Sequence, residues 1–123
     1  MTKSELNTEE RIFHSACEVF LLYGYHGTTI RKITELSGVN NSAMNYYFRS
    51  KNRLYEKVVE YLLVLIYNSQ ETPVSYLEKN EKFRWFLFTE FYNNQQLFVK
   101  TLSNLNPDNW EGQLKMIMKL KVQ

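Results

Sequence analysis

Residues 28–51 read TTIRKITELSGVNNSAMNYYFRSK. Thr28 and Thr29 are helix starters, because a threonine hydroxyl ahead of a helix can accept a hydrogen bond from a backbone N–H with no carbonyl partner inside that helix. The spacing predicts a helix from near Ile30, with Ile30, Ile33 and Leu36 on one stripe and Arg31, Lys32 and Glu35 on a wet face. Gly38 stops it, since glycine tolerates the left-handed backbone that a sharp reversal needs, and Val39 plugs the corner. Asn40 is placed to cap a second helix, Asn41 to Phe48. At roughly 100° per residue, Met44 and Phe48 share an inward arc, while Ser42, Asn45 and Tyr46 lie broadly opposite, with Asn41 and Tyr47 on the flanks. Two short helices joined by a glycine turn make a helix-turn-helix, and an outer arc of short polar groups and tyrosines suits a major groove wide enough for one helix.

Working outward, Thr8 followed by Glu9 and Glu10 opens an earlier helix with acidic groups where the helix dipole favours them. Its expected apolar stripe is Ile12, Phe13, Ala16, Phe20 and Tyr23, and Gly24 is expected to end it. Ser50 is expected to cap a longer helix from Lys51 to about Ser69, with Leu54, Val58, Tyr61, Leu62 and Leu65 at core spacing. Val59, Leu63, Val64 and Ile66 thicken that stripe, yet the run is too short, and interrupted by Glu60, to cross a bilayer. Thr72-Pro73 marks a break and an expected linker, because proline disfavours helix in the residue before it. Glu81 to Leu102 reads as one long helix or two, with a polar interruption at Asn93-Asn94-Gln95-Gln96. Asn106-Pro107-Asp108-Asn109 reads as a turn, followed by a short amphipathic segment from Trp110 to Leu120. The expected fold is all-α: a three-helix helix-turn-helix head over residues 8–60, then a partial helical domain over 61–123.

Charge is nearly balanced over the 123 residues, 15 basic minus 13 acidic giving +2. Its distribution carries more information. From Thr28 to Lys57 six basic residues (Arg31, Lys32, Arg49, Lys51, Arg53, Lys57) meet only Glu35 and Glu56, a local +4, whereas seven basic and seven acidic residues cancel from Val58 onward. The electrostatic footprint expected of a polyanion binder thus lies on the helix-turn-helix. The single cysteine, Cys17, has no internal disulfide partner, and no signal peptide opens the chain. A reducing cytoplasm, in contact with the nucleoid, is the expected compartment. The serines lack histidine and carboxylate at triad spacing, and there is no glycine-rich phosphate loop and no Cys/His cluster for zinc. His14 and His26 stand apart from any metal-ligand spacing. Neither an enzyme nor a cofactor or metal protein is expected.

With ERIFHSACEVFLLYGYHGTT before it and FRSKNRLYEKVV around its end, the segment resembles the DNA-binding domain of the TetR/AcrR family of bacterial repressors. The matching pieces are Phe20 with Gly24-Tyr25, Thr28-Thr29-Ile30, Ile33, Gly38-Val39, and Asn45-Tyr46-Tyr47-Phe48 followed by Ser50-Lys51 and Leu54. Thr34 stands where the family commonly has alanine, and Tyr47 where it commonly has histidine. A tyrosine there keeps a hydrogen-bonding tip but no cationic form near neutral pH. The resemblance implies a transcriptional regulator that binds a double-stranded DNA operator as a homodimer and is released by a small apolar effector. It also implies further helices, so the region after residue 60 is expected to be short or truncated.

Thr29 and Lys51 are expected to contact phosphates, the first through its hydroxyl beside a helix N-terminus and the second as a point charge. Arg31, Asn41, Ser42 and Asn45 are the candidates for reading base edges, since arginine pairs bidentately with guanine and asparagine with adenine. Tyr46 and Tyr47 match family positions that usually touch the backbone. In the second half, eleven aromatic residues read as core, with Trp85, Phe88 and Tyr92 as the candidates for an effector pocket or an interface. A second function class is a truncated homologue that pairs with a full-length regulator and removes it from DNA.

Overall fold

The first helix, α1 (Thr8–Gly27), is capped by Asn7 and not by Thr8 in a computed structural model that describes residues 7–115. The Asn7 side chain accepts the Glu10 N–H at 2.8 Å and donates to Glu10 Oε1 at 2.6 Å, so cap and acidic first turn lock together. Gly24 breaks the helical path as expected, and α1 runs on past it only across a kink. This glycine takes φ 71° and ψ −178°, a conformation that bends the helix, and the chain regains helical geometry as far as Gly27. Thr28 makes this possible: its buried hydroxyl donates to the Gly24 carbonyl at 2.7 Å, satisfying a group the bend would otherwise strand. The inward stripe is Ile12, Ala16, Val19 and Phe20; Val19 takes the place expected for Tyr23, which is exposed. Tyr23 instead turns its ring under the Lys32 ammonium, 4.2 Å from the ring centre.

Two eight-residue helices follow, α2 (Ile30–Ser37) and α3 (Asn41–Phe48). Helices of this length are marginal alone, so caps and packing must hold them. Thr29 accepts the Lys32 N–H at 3.1 Å, and Asn40 accepts the Ala43 N–H at 2.9 Å. Gly38 closes α2 at φ 72°, its N–H donating to the Thr34 carbonyl at 2.9 Å. A side chain at 38 would strain that backbone and its Cβ would lie 3.0 Å from Arg11 Nη2. Arg11 is close because it donates to the Ser37 carbonyl at 2.7 Å, tying α1 to the end of α2. Ile33, Met44 and Phe48 are buried, each worth roughly 1.5–3 kcal/mol of apolar transfer.

The helix α4 (Lys51–Asn68) is separated from α3 by two residues. Ser50 caps it, accepting the Arg53 N–H at 3.1 Å. The chain divides into two compact units between Val58 and Val59. In the first, Leu54, Tyr55 and Val58 are buried with the residues named above. In the second, the buried positions of α4 are Val59, Leu62, Leu63 and Ile66, an i, i+3, i+4, i+7 set that leaves Tyr61 exposed rather than in the core. Pro73 starts a helix instead of a linker: α5 (Pro73–Lys79) is capped by Thr72, which accepts the Ser75 N–H at 3.2 Å. Proline in a first turn has no N–H to lose, which explains the reversal. The long pattern after Glu81 resolves into α6 (Glu81–Asn93) and α7 (Gln95–Leu105), separated at Asn94. Phe86, Leu87, Phe98 and Leu102 are their buried apolar residues. A turn at residues 107–109 leads into helical backbone at 110–115; the rest of the expected segment to Leu120 lies outside the described residues. The described residues are helices and connections without a strand, the all-α class expected. None of these helices is long and apolar enough to cross a membrane.

Candidate nucleic-acid interface

The buried pair Met44 and Phe48 fixes which way α3 faces. Met44 is fully enclosed, Phe48 packs on Phe13 with ring centres 6.4 Å apart, and Asn41, Ser42, Asn45, Tyr46 and Tyr47 are consequently exposed. Tyr46 is 78% exposed and Tyr47 41%. The two rings meet edge to face at 5.0 Å, so Tyr47 braces Tyr46. Tyr47 also walls a cleft of about 370 Å³ with Glu9, Glu10, Phe13, His14, Phe48 and Lys57, which accounts for its lesser exposure.

Thr29 stands exposed ahead of α2. Its oxygen accepts the Lys32 N–H, and a hydroxyl that accepts keeps its own hydrogen to donate. Arg31 lies on the wet face of α2, its Nε donating to Glu35 Oε1 at 2.8 Å with both side chains largely exposed. This bond, and then the Glu35 charge, raise the pKa of the guanidinium further. Exposed pairs of this kind contribute little to stability, so Arg31 can exchange Glu35 for another acceptor at small cost. Lys32 is held differently. It donates to the Gly27 carbonyl at 2.7 Å at the end of α1, where the helix dipole favours a cation.

Lys51 opens α4 with its ammonium 3.9 Å from the centre of the Tyr25 ring. Tyr25 in turn donates through its hydroxyl to Asn52 Oδ1 and packs edge to face on buried Tyr55 at 5.1 Å. Sequence reading missed this assembly because 26 residues separate Tyr25 from Lys51, beyond any local periodicity. It also missed Arg49, the single described non-glycine residue with positive φ. Arg49 takes φ 69° and ψ −46°, and the Ser50 N–H donates to the Phe48 carbonyl at 2.8 Å. That is a γ-turn of the rare, strained hand, and it carries the chain from α3 into α4 in two residues.

Thr29, Arg31, Asn41, Ser42, Asn45, Tyr46 and Tyr47 are thus all exposed in the first unit, while Lys51 is half-buried. In the second unit Trp85 and Tyr92 are exposed on α6, and Phe88, on the same helix, is half-buried. Among the described residues no group of three or more His, Cys, Asp or Glu side chains is placed to hold a metal ion.

Comparison with known proteins bears on the first unit most directly. Residues 12–58 match the family model described as bacterial regulatory proteins, tetR family. Over 55 residues the chain is 38% identical to the HTH-type transcriptional regulator RutR of Escherichia coli (strain K12), a match covering 45% of this chain and 26% of that relative. It is 34% identical over 55 residues to the protein named "Probable HTH-type transcriptional regulator YttP" of Bacillus subtilis (strain 168), covering 45% and 27%. The match therefore spans about a quarter of the length of these curated relatives. A crystal structure described as a tetR family transcription regulator from Shewanella sp. PV-4 superposes with a TM-score of 0.56 at 16% identity, covering 93% of this chain and 69% of that one, a likeness of fold. Residues 12–58 are thus similar to the tetR family of bacterial regulatory proteins.

Proposed function

We propose that the chain is a sequence-specific double-stranded DNA-binding transcriptional regulator, a repressor acting as a homodimer in the cytoplasm at the nucleoid and relieved by a small apolar effector. The observation that carries the reading is the two-faced α3: Met44 and Phe48 are buried, and Asn41, Ser42, Asn45 and Tyr46 are presented together on the opposite side. A helix of this width and polarity fits a major groove, where amide side chains pair with adenine and an arginine with guanine, each pair giving about 1–3 kcal/mol of discrimination. Asn41, Ser42, Asn45 and Arg31 are the base readers. Thr29, Tyr46, Tyr47 and Lys51 hold the backbone and set the register. The local +4 over residues 28–57 supplies the sequence-independent attraction. The exposed Trp85 and Tyr92 of α6, with Tyr61 and Val64 of α4, offer the second unit apolar surface for a second subunit or an effector.

The test is a mobility-shift assay on the DNA upstream of the chain's own reading frame at two salt concentrations. Tight binding that falls steeply with salt and exceeds binding to random duplex is expected. No preference over random duplex overturns the reading, and favours a chain that acts by pairing with a full-length regulator. The division of labour has its own test. Lys51→Ala weakens binding to every sequence alike, whereas Asn45→Ala changes which base is preferred at one position, with a loss of about 1–3 kcal/mol at the preferred site. Equal effects of both substitutions on all sequences would reverse the assignment.

A further inference from the structure

We infer that Tyr25 is a positioning residue for the DNA contact, holding the Lys51 ammonium at the start of α4; this rests on the proposed role of Lys51 as a phosphate ligand. The first residue of a helix is an unfavourable place for a cation, because the N-terminal dipole and the unpaired N–H groups there are already positive. Lys51 occupies that place, and the face of an aromatic ring 3.9 Å away supplies the negative potential that offsets it. The ring is itself fixed on three sides. Its hydroxyl donates to Asn52 in the same first turn, its edge meets buried Tyr55 at 5.1 Å, and His26 packs edge to face on it at 5.4 Å. Tyr55 is anchored in turn on Phe20 of α1 at 5.5 Å. The bend at Gly24 is what redirects the chain at Tyr25, since φ 71° interrupts the helical path one residue earlier.

The consequence is a lysine whose rotamer is selected before DNA arrives. A flexible four-carbon side chain loses rotamer freedom when it is immobilised by a phosphate. A ring that already favours one position removes part of that loss. Gly24-Tyr25 and Lys51, far apart in the sequence, then act as one device, and the ring is required for Lys51 to contribute fully.

The experiment is a double-substitution cycle measured as affinity for a random-sequence duplex at low salt, with thermal unfolding of each protein recorded alongside. Tyr25→Leu is expected to weaken binding about two- to fivefold in the wild-type background, the size of an exposed cation–ring contact. In the Lys51→Ala background it is expected to have no further effect. Tyr25→Phe, which keeps the ring and loses the hydroxyl, is expected to retain most of the affinity. Equal losses from Tyr25→Leu with and without Lys51 would overturn the inference, as a purely structural role predicts. Should Tyr25→Leu fail to fold, the Lys51 ε-methylene resonances of the wild-type chain decide: ring-current displacement upfield supports the contact, and random-coil positions refute it. Absence of any duplex binding by the wild-type chain would instead sink the function itself, which separates the two failures.

Discussion

Arg49 concentrates backbone strain at one of the two residues that join α3 to α4. A non-glycine residue at φ 69° costs on the order of 1–3 kcal/mol. Arg49→Gly is therefore expected to raise stability by about 1 kcal/mol, the relief of strain less the extra freedom glycine has when unfolded. Urea unfolding measures this, and a loss of stability would mean that the Arg49 side chain holds the turn. Cys17 shows residue chemistry of another kind. Burial, and then the neighbouring Glu18, push its thiol from 9.0 up to about 12. A thiol that keeps its proton longer when folded contributes stability that is complete below pH 9, where folded and unfolded chains are both protonated. That contribution declines as pH rises from 9 toward 12, where the unfolded chain alone releases its proton. Wild type is expected to lose more stability than Cys17→Ala across that window, and parallel curves would contradict it. The same shift makes the native thiol slow to react with alkylating reagents at neutral pH.

At the scale of elements, the head depends on caps more than on helix length. Eight residues form barely two turns, and α3 is closed at its start by the Asn40 side chain. Asn40→Ala is expected to cost about 1 kcal/mol and to speed amide exchange within residues 41–48 more than elsewhere. Unchanged exchange there would show that packing of Met44 and Phe48 alone maintains the helix. The elements that were legible in the sequence are those with local causes. Thr29, Gly38, Asn40 and Ser50 each act within three or four residues, so α2, α3 and the start of α4 could be placed from spacing. The elements misread were decided at longer range. Gly24 does break the helix, but spacing could not show that the Thr28 hydroxyl satisfies the stranded carbonyl and that a further helical turn follows. Tyr23 looks like core, yet Lys32 lies over its ring. Pro73 looks like a break, and Thr72 turns it into a helix start.

For the whole molecule, the exposure of the candidate residues on α3 was readable residue by residue, but what supports them was not. Periodicity on α3 exposed Asn45 and Tyr46 correctly because Met44 and Phe48 leave one arc for everything else. The bracing of Lys51 by Tyr25 and the tether of Arg11 to the end of α2 join residues 26 positions apart and follow from no spacing rule. In the second unit, aromatic content alone could not say which rings face inward: Phe86 and Phe98 are buried, while Trp85 and Tyr92 remain at the surface. On the proposed reading a single head would contact one short half-site, and two heads joined by a two-fold axis would bind far more tightly. The most direct test of the DNA-facing role of α3 is a heteronuclear NMR titration of the full chain with duplex DNA at low salt. Amide shifts concentrated at Thr29, residues 41–47 and Lys51, with α6 and α7 unaffected, are the expected result. Shifts confined to other helices, or none at saturating duplex, would contradict it.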